Sequence, residues 1–126
     1  IERFFSLFDS SNLMDKSGFD SCSVPGLLRY TSKIEPMCIE ACEAGRFSAY
    51  ITPNFKLVPC SFEKDTAFAV PIEVAGIEAA WNSEAFERFR SRLHGNCPGC
   101  AKRDSCLGGC PIVPEITLCD SNFRQA

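Results

Sequence analysis

The sequence predicts a small, loop-rich α+β fold: a β-hairpin followed by helices, with cysteine-rich loops wrapped around metal centres. Three observations carry this. Nine cysteines stand among 126 residues, four of them in NCPGCAKRDSCLGGC at positions 96–110. Aromatic and β-branched residues fill RFSAYITP and FKLVPCSF, which flank a Pro53-Asn54 turn signal. Beyond Val74, apolar residues recur at helical spacing.

A hydrophobic content of 45% suffices for one core in a chain of this length. The net charge of -3, with Lys and Arg scattered rather than clustered, argues against a nucleic-acid or anionic-membrane partner. No apolar run approaches the roughly 18 residues that cross a bilayer. The opening IERFFSLFDSS lacks the basic start and cleavage site of a signal peptide, so the chain reads as cytoplasmic.

Taken in order, Ile1, Phe4, Phe5 and Phe8 give the first stretch an apolar helical stripe. That stripe serves either a core-facing helix or a helix docked on a preceding domain. SNLMDKSGFDSC is rich in turn formers, and VPGLLRYTSK predicts a short helix with Pro25 in its first turn. The hairpin follows and leaves Cys60 at its end. In IEAAWNSEAFERFRSRLH, Asn82 or Ser83 is the expected N-cap, and Phe86, Phe89 and Leu93 share one face. Trp81 is expected to pack where the two helical pieces meet. Arg88 and Arg90 are read as a solvated face, and His94 as a cation at the helix end.

The cysteines carry the chemistry. In a reduced compartment disulfides are disfavoured, and pairs as close as C-x2-C and C-x3-C make poor long-loop staples. Thiolates are soft ligands, and short Cys loops aim two sulfurs at one centre, which suits zinc and iron–sulfur clusters alike. Gly108 and Gly109 allow the close backbone approach and positive φ that bring Cys110 into place. One solution is a single zinc ion held by Cys97, Cys100, Cys106 and Cys110, a zinc-stabilised interaction module that leaves Cys42, Cys60 and Cys119 without roles. The other follows two-cluster ferredoxins, where the fourth cysteine of a tight run ligates the other cluster. Cys110 would then cross to a second centre with Cys42, Cys60 and either Cys22 or Cys38, and Cys119 would close the first.

These residues resemble the SPASM domain, the auxiliary iron–sulfur domain of radical S-adenosylmethionine enzymes. The family motif runs C-x(9–15)-G-x4-C, a gap, C-x2-C-x5-C-x3-C, a second gap, then C. Cys42, Cys60, Cys97, Cys100, Cys106, Cys110 and Cys119 stand in register with it. CEAGRFSAYITPNFKLVPCSF is similar to its opening hairpin, IEAAWNSEAFERFR to its Trp-containing helix, and CLGGCP to its closing loop. One position departs: Phe55 stands where the motif has glycine, so the turn must be made another way, with Asn54 expected to take the left-handed conformation.

The resemblance implies two 4Fe-4S clusters. One would be bound by Cys97, Cys100, Cys106 and Cys119, the other by Cys42, Cys60, Cys110 and a fourth ligand, or with that iron left open. GFDSC resembles the arrangement in peptide-modifying members and points to Cys22, with Cys38 as the alternative and otherwise a buried thiol. Arg46, Lys102 and Arg103 are read as surface charges that could offset part of the cluster charge. Residues 1–34 would be a linker or helical segment from a catalytic barrel, and 35–126 the SPASM-like domain. The sequence contains no C-x3-C-x2-C loop, so S-adenosylmethionine and a third cluster are expected only in that barrel, which would be the partner together with a peptide or protein substrate. This chain alone is not expected to be an active enzyme.

Overall fold

A computed structural model of the chain describes residues 2–11, 13, 16–63, 66–93 and 99–117. Among them the fold is a small α+β arrangement with five α-helices and one three-stranded antiparallel sheet. The chain divides into two compact units, one of residues 43–95 and one of 1–42 with 96–126. No described helix is long and apolar enough to cross a membrane. Ile1, His94, Cys97 and Cys119 lie outside the described residues.

In the unit of residues 1–42 and 96–126, α1 (Glu2–Ser10) packs on α2 (Val24–Tyr30). A helix turns 100° per residue, so Phe5 and Phe8 share one side while Phe4 sits at its rim. Accordingly Phe5 and Phe8 are buried and Phe4 is 54% exposed, so the expected stripe is narrower than its composition. Phe5 stacks on Tyr30 at 5.5 Å between ring centroids, and Phe8 meets Phe19 edge-on at 5.1 Å, geometries favoured by the aromatic quadrupole. The Thr31 hydroxyl donates to the Asp9 carboxylate, joining the two helix ends. Pro25 stands in the first turn of α2, as expected, where its missing N–H costs nothing.

In the unit of residues 43–95, the strands are shorter than the sequence suggests. Within the hairpin, regular pairing is confined to β1 (Tyr50–Ile51) and β2 (Lys56–Val58), with Tyr50 opposite Val58 and Ile51 opposite Leu57. Arg46, Phe47 and Ser48 do not extend β1 because their N–H groups all donate to the Glu43 carbonyl, closing a tight turn. A third strand, β3 (Val70–Pro71), pairs antiparallel with β2. Only two residues long and ending in proline at a sheet edge, it carries no periodic signal.

The hairpin turn also differs from expectation. Phe55, not Asn54, is left-handed, with φ of 52°. The Phe55 N–H donates to the Thr52 carbonyl at 3.0 Å and the Thr52 N–H to the Lys56 carbonyl at 2.9 Å. This is the three-residue loop in which a turn is followed by one αL residue, and that residue is the one the geometry reserves for glycine. The substituted motif position is therefore the strained one. The Thr52 hydroxyl, accepting from the Lys56 N–H at 3.1 Å, helps hold the turn closed.

Residues Ile72–Trp81 form α3, broken at Gly76 by φ 76°, ψ 168°. Next comes α4 (Glu84–Arg92), whose N-cap is Ser83, its hydroxyl accepting from the Phe86 N–H at 3.4 Å. Phe86, Phe89 and Leu93 are buried as their spacing requires, and Leu57, Ala80 and Phe86 form a core that Trp81 flanks. Trp81 and Phe86 lie 5.6 Å apart, at the meeting of the two helical pieces.

A left-handed non-glycine residue costs roughly 1–2 kcal/mol, and the Phe55 side chain is more than half exposed. Phe55→Gly is expected to stabilise the domain by about 1 kcal/mol in urea unfolding, after the entropy glycine adds to the unfolded chain. Phe55→Val should destabilise it, since a β-branched residue is the worst fit there. A destabilised glycine variant would refute the strain assignment.

Candidate metal centre

Cys22 lies in a 3-10 turn, Ser21–Ser23, that packs on a second such turn, Pro114–Thr117. Asp20 caps it, its carboxylate accepting the Cys22 N–H at 2.8 Å. That backbone bond, and then a bond with the Cys22 side chain, hold the Asp20 carboxyl below the usual range. Burial pushes the Cys22 thiol up to about 12, and the Asp20 carboxylate and then the Cys42 and Cys110 thiols add to the rise. The structure thus brings Cys42 and Cys110 each within electrostatic reach of Cys22. All three belong to the same compact unit.

Cys110 is placed by a run of left-handed residues: φ is 56° at Leu107, 82° at Gly108 and 84° at Gly109. Gly109 is required twice over. Its φ suits glycine, and a Cβ there would lie 2.3 Å from the Thr117 Cγ2. Thr117 is the buried polar side chain of this region, and its hydroxyl accepts the Cys110 N–H at 3.2 Å. The Cys110 sulfur in turn accepts the Val113 N–H at 3.2 Å.

Cys106 ends α5 (Arg103–Cys106), a single turn whose start is closed by the Arg103 N–H on the carbonyl of Cys100, three residues before it, at 3.1 Å. Between them, the Lys102 ammonium donates to the Leu28 carbonyl and ties this loop to the end of α2. Lys102 is therefore more than a surface charge. Arg46 lies over the Phe47 ring at 4.8 Å. Cys97 and Cys119, the other two cysteines expected to bind with Cys100 and Cys106, lie outside the described residues. Among the described residues no three His, Cys, Asp or Glu side chains are gathered tightly enough to hold one metal ion.

In the unit of residues 43–95, Cys60 follows β2 by two positions, and its sulfur accepts the Phe62 N–H at 3.5 Å. Cys38, by contrast, ends the 3-10 turn Pro36–Cys38 and is exposed. It does not have the buried setting that an apolar packing role predicts. No disulfide joins the seven described cysteines.

This donor set fits an iron–sulfur group: thiol side chains on tight loops, with backbone N–H groups aimed at sulfur in the Cys60 and Cys110 loops. Sequence reasoning passed over Asp20 and Thr117 and misread Arg90. Asp20 was visible as an Asx-type cap two residues before Cys22, whereas nothing local marks Thr117. Arg90 is not the solvated residue expected, because its guanidinium reaches the Gly45 and Trp81 carbonyls, while Arg88 is 53% exposed as expected.

Comparison with known families matches residues 42–106, more than half of the chain, to SPASM, described as an iron-sulfur cluster-binding domain. No curated protein and no solved structure matches the chain.

Two outcomes test this geometry. Gly109→Ala is expected to cost about 2 kcal/mol or more in urea unfolding, because the new methyl must displace buried Thr117. In the metal-free protein at pH 8, iodoacetamide should modify exposed Cys38 at least about tenfold faster than Cys22, since only the thiolate reacts. The Cys22 rate should keep climbing with pH beyond about 10. Equal rates, read by peptide mass, would contradict the buried setting of Cys22.

Proposed function

The chain belongs to the SPASM family of iron–sulfur cluster-binding domains, and on that premise we propose that it is the auxiliary domain of a radical S-adenosylmethionine enzyme. It carries two 4Fe-4S clusters. Cys97, Cys100, Cys106 and Cys119 bind one, and Cys22, Cys42, Cys60 and Cys110 bind the other. The observation that carries this reading is that Cys22 lies within electrostatic reach of Cys42 and of Cys110, two cysteines of the family motif. Exposed Cys38 is not used.

Bound clusters supply one-electron transfer, with potentials set by burial and by hydrogen bonds to sulfur. The chain's own groups have defined tasks in that setting. The Val113 and Phe62 N–H groups donate to ligand sulfurs and stabilise negative charge on them. The Cys22 thiol, protonated at neutral pH, must release its proton on ligation, which makes loading at this site pH-dependent. Loading there should be favoured as pH rises.

The catalytic partner is a barrel carrying the C-x3-C-x2-C loop, the third cluster and S-adenosylmethionine. The domain supports electron transfer and the positioning of a peptide or protein substrate during its modification. The setting is cytoplasmic, with no nucleic acid or membrane involved. Family resemblance supports this part of the reading, and the absence of a C-x3-C-x2-C loop from this sequence supports the assignment of the radical chemistry elsewhere.

Anaerobically reconstituted protein should be brown and carry about eight irons per chain. Colourless protein holding one zinc would instead establish the interaction module. Cys22→Ala should lower iron content, whereas Cys38→Ala should leave it unchanged. The reverse pattern would transfer the fourth ligand to Cys38.

A further inference from the structure

Arg90 is held more tightly than the exposed face of a helix requires. Its Nε donates to the Gly45 carbonyl at 2.6 Å, Nη2 to the Trp81 carbonyl at 2.8 Å, and Nη1 to Glu87 at 2.6 Å. Its guanidinium carbon lies 4.9 Å from the Trp81 ring centroid and 5.6 Å from that of Phe86. Only 21% of the side chain is exposed. A lysine could reach one of these acceptors but could not fork between them.

What Arg90 grips leads to a cysteine. Gly45 has φ of 66° in the tight turn after Cys42, and its N–H donates to the Ser48 carbonyl at 2.9 Å. A Cβ on Gly45 would meet the Phe89 ring at 2.8 Å and Pro59 at 3.3 Å. The side of Gly45 where a side chain would stand is thus packed against both Phe89 of α4 and Pro59, a fully buried residue directly before Cys60. Phe89 supplies the wall and Arg90 pulls the Gly45 carbonyl onto it.

We propose that Arg90 is a positioning residue for Cys60. By fixing the Gly45 turn against Pro59 it sets the backbone from which the Cys60 sulfur is presented. Its consequence for the cluster rests on the reading that Cys60 is a ligand. The effect on the thiol itself does not.

The test compares Arg90→Gln and Arg90→Lys with Arg88→Gln, a change at the exposed arginine that pairs with Glu84 on the same helix. After anaerobic reconstitution, both Arg90 variants should fall from about eight irons per chain to about four, while the Arg88 variant keeps its iron. In metal-free protein, maleimide labelling of Cys60 should quicken about tenfold in the Arg90 variants, as expected for loss of charge-assisted hydrogen bonds, with Cys110 labelling unchanged. In a Cys60→Ala background, Arg90→Gln should remove no further iron, since the two changes act on one site.

Additive iron loss, or equal quickening at Cys60 and Cys110, would overturn the proposal. So would both Arg90 variants unfolding at the assay temperature, because a general structural role would then account for the residue. If wild-type protein binds no iron, the ligand reading falls and the labelling comparison alone decides the positioning role.

Discussion

Gathering thiols that repel one another once ionised is the constraint on which the unit holding Cys22, Cys42 and Cys110 depends. Burial and neighbouring negative charge disfavour the Cys22 thiolate, and a metal core reverses that balance only once it is bound. Until then the loops must be held by groups other than sulfur. Asp20 secures the Cys22 N–H, Thr117 secures the Cys110 N–H, and the turns that carry Cys22 and Thr117 pack together. The left-handed run through Gly109 lets the chain pass close enough to Thr117 for that bond to form.

The unit of residues 43–95 solves a similar problem by packing. One face of α4 supplies Phe86 and Phe89 to the interior, and Arg90 uses the rim of the same face to reach two carbonyls. Close-packed interiors transmit displacement instead of absorbing it. A helix held in this way can position the Gly45 turn, and Pro59 with it, although neither belongs to the helix.

Local chemistry was legible. Cysteine spacing, the Ser83 cap, the first turn of α2 and the buried face of α4 each depend on residues within a few positions of one another. The departure at Phe55 was legible as a place, because the turn forces one residue into the left-handed region. Which residue takes it depends on hydrogen-bond register: with Thr52 bonded to both Phe55 and Lys56, the αL position falls on Phe55 and not on Asn54. Arg90 was misleading because its spacing from Glu87 is that of an ordinary surface ion pair. Its decisive acceptors, Trp81 and Gly45, stand 9 and 45 positions away.

By itself the sequence determined the family, the soft-ligand chemistry and the elements that carry the cysteines, because ligand spacing and helical periodicity are short-range properties of the chain. Only the tertiary structure brings Cys22 within electrostatic reach of Cys42 and Cys110, exposes Cys38, sets Thr117 against Gly109 and turns Arg90 onto two backbone carbonyls. Each of these depends on how separate elements pack, and neither ligand spacing nor helical periodicity reports that packing.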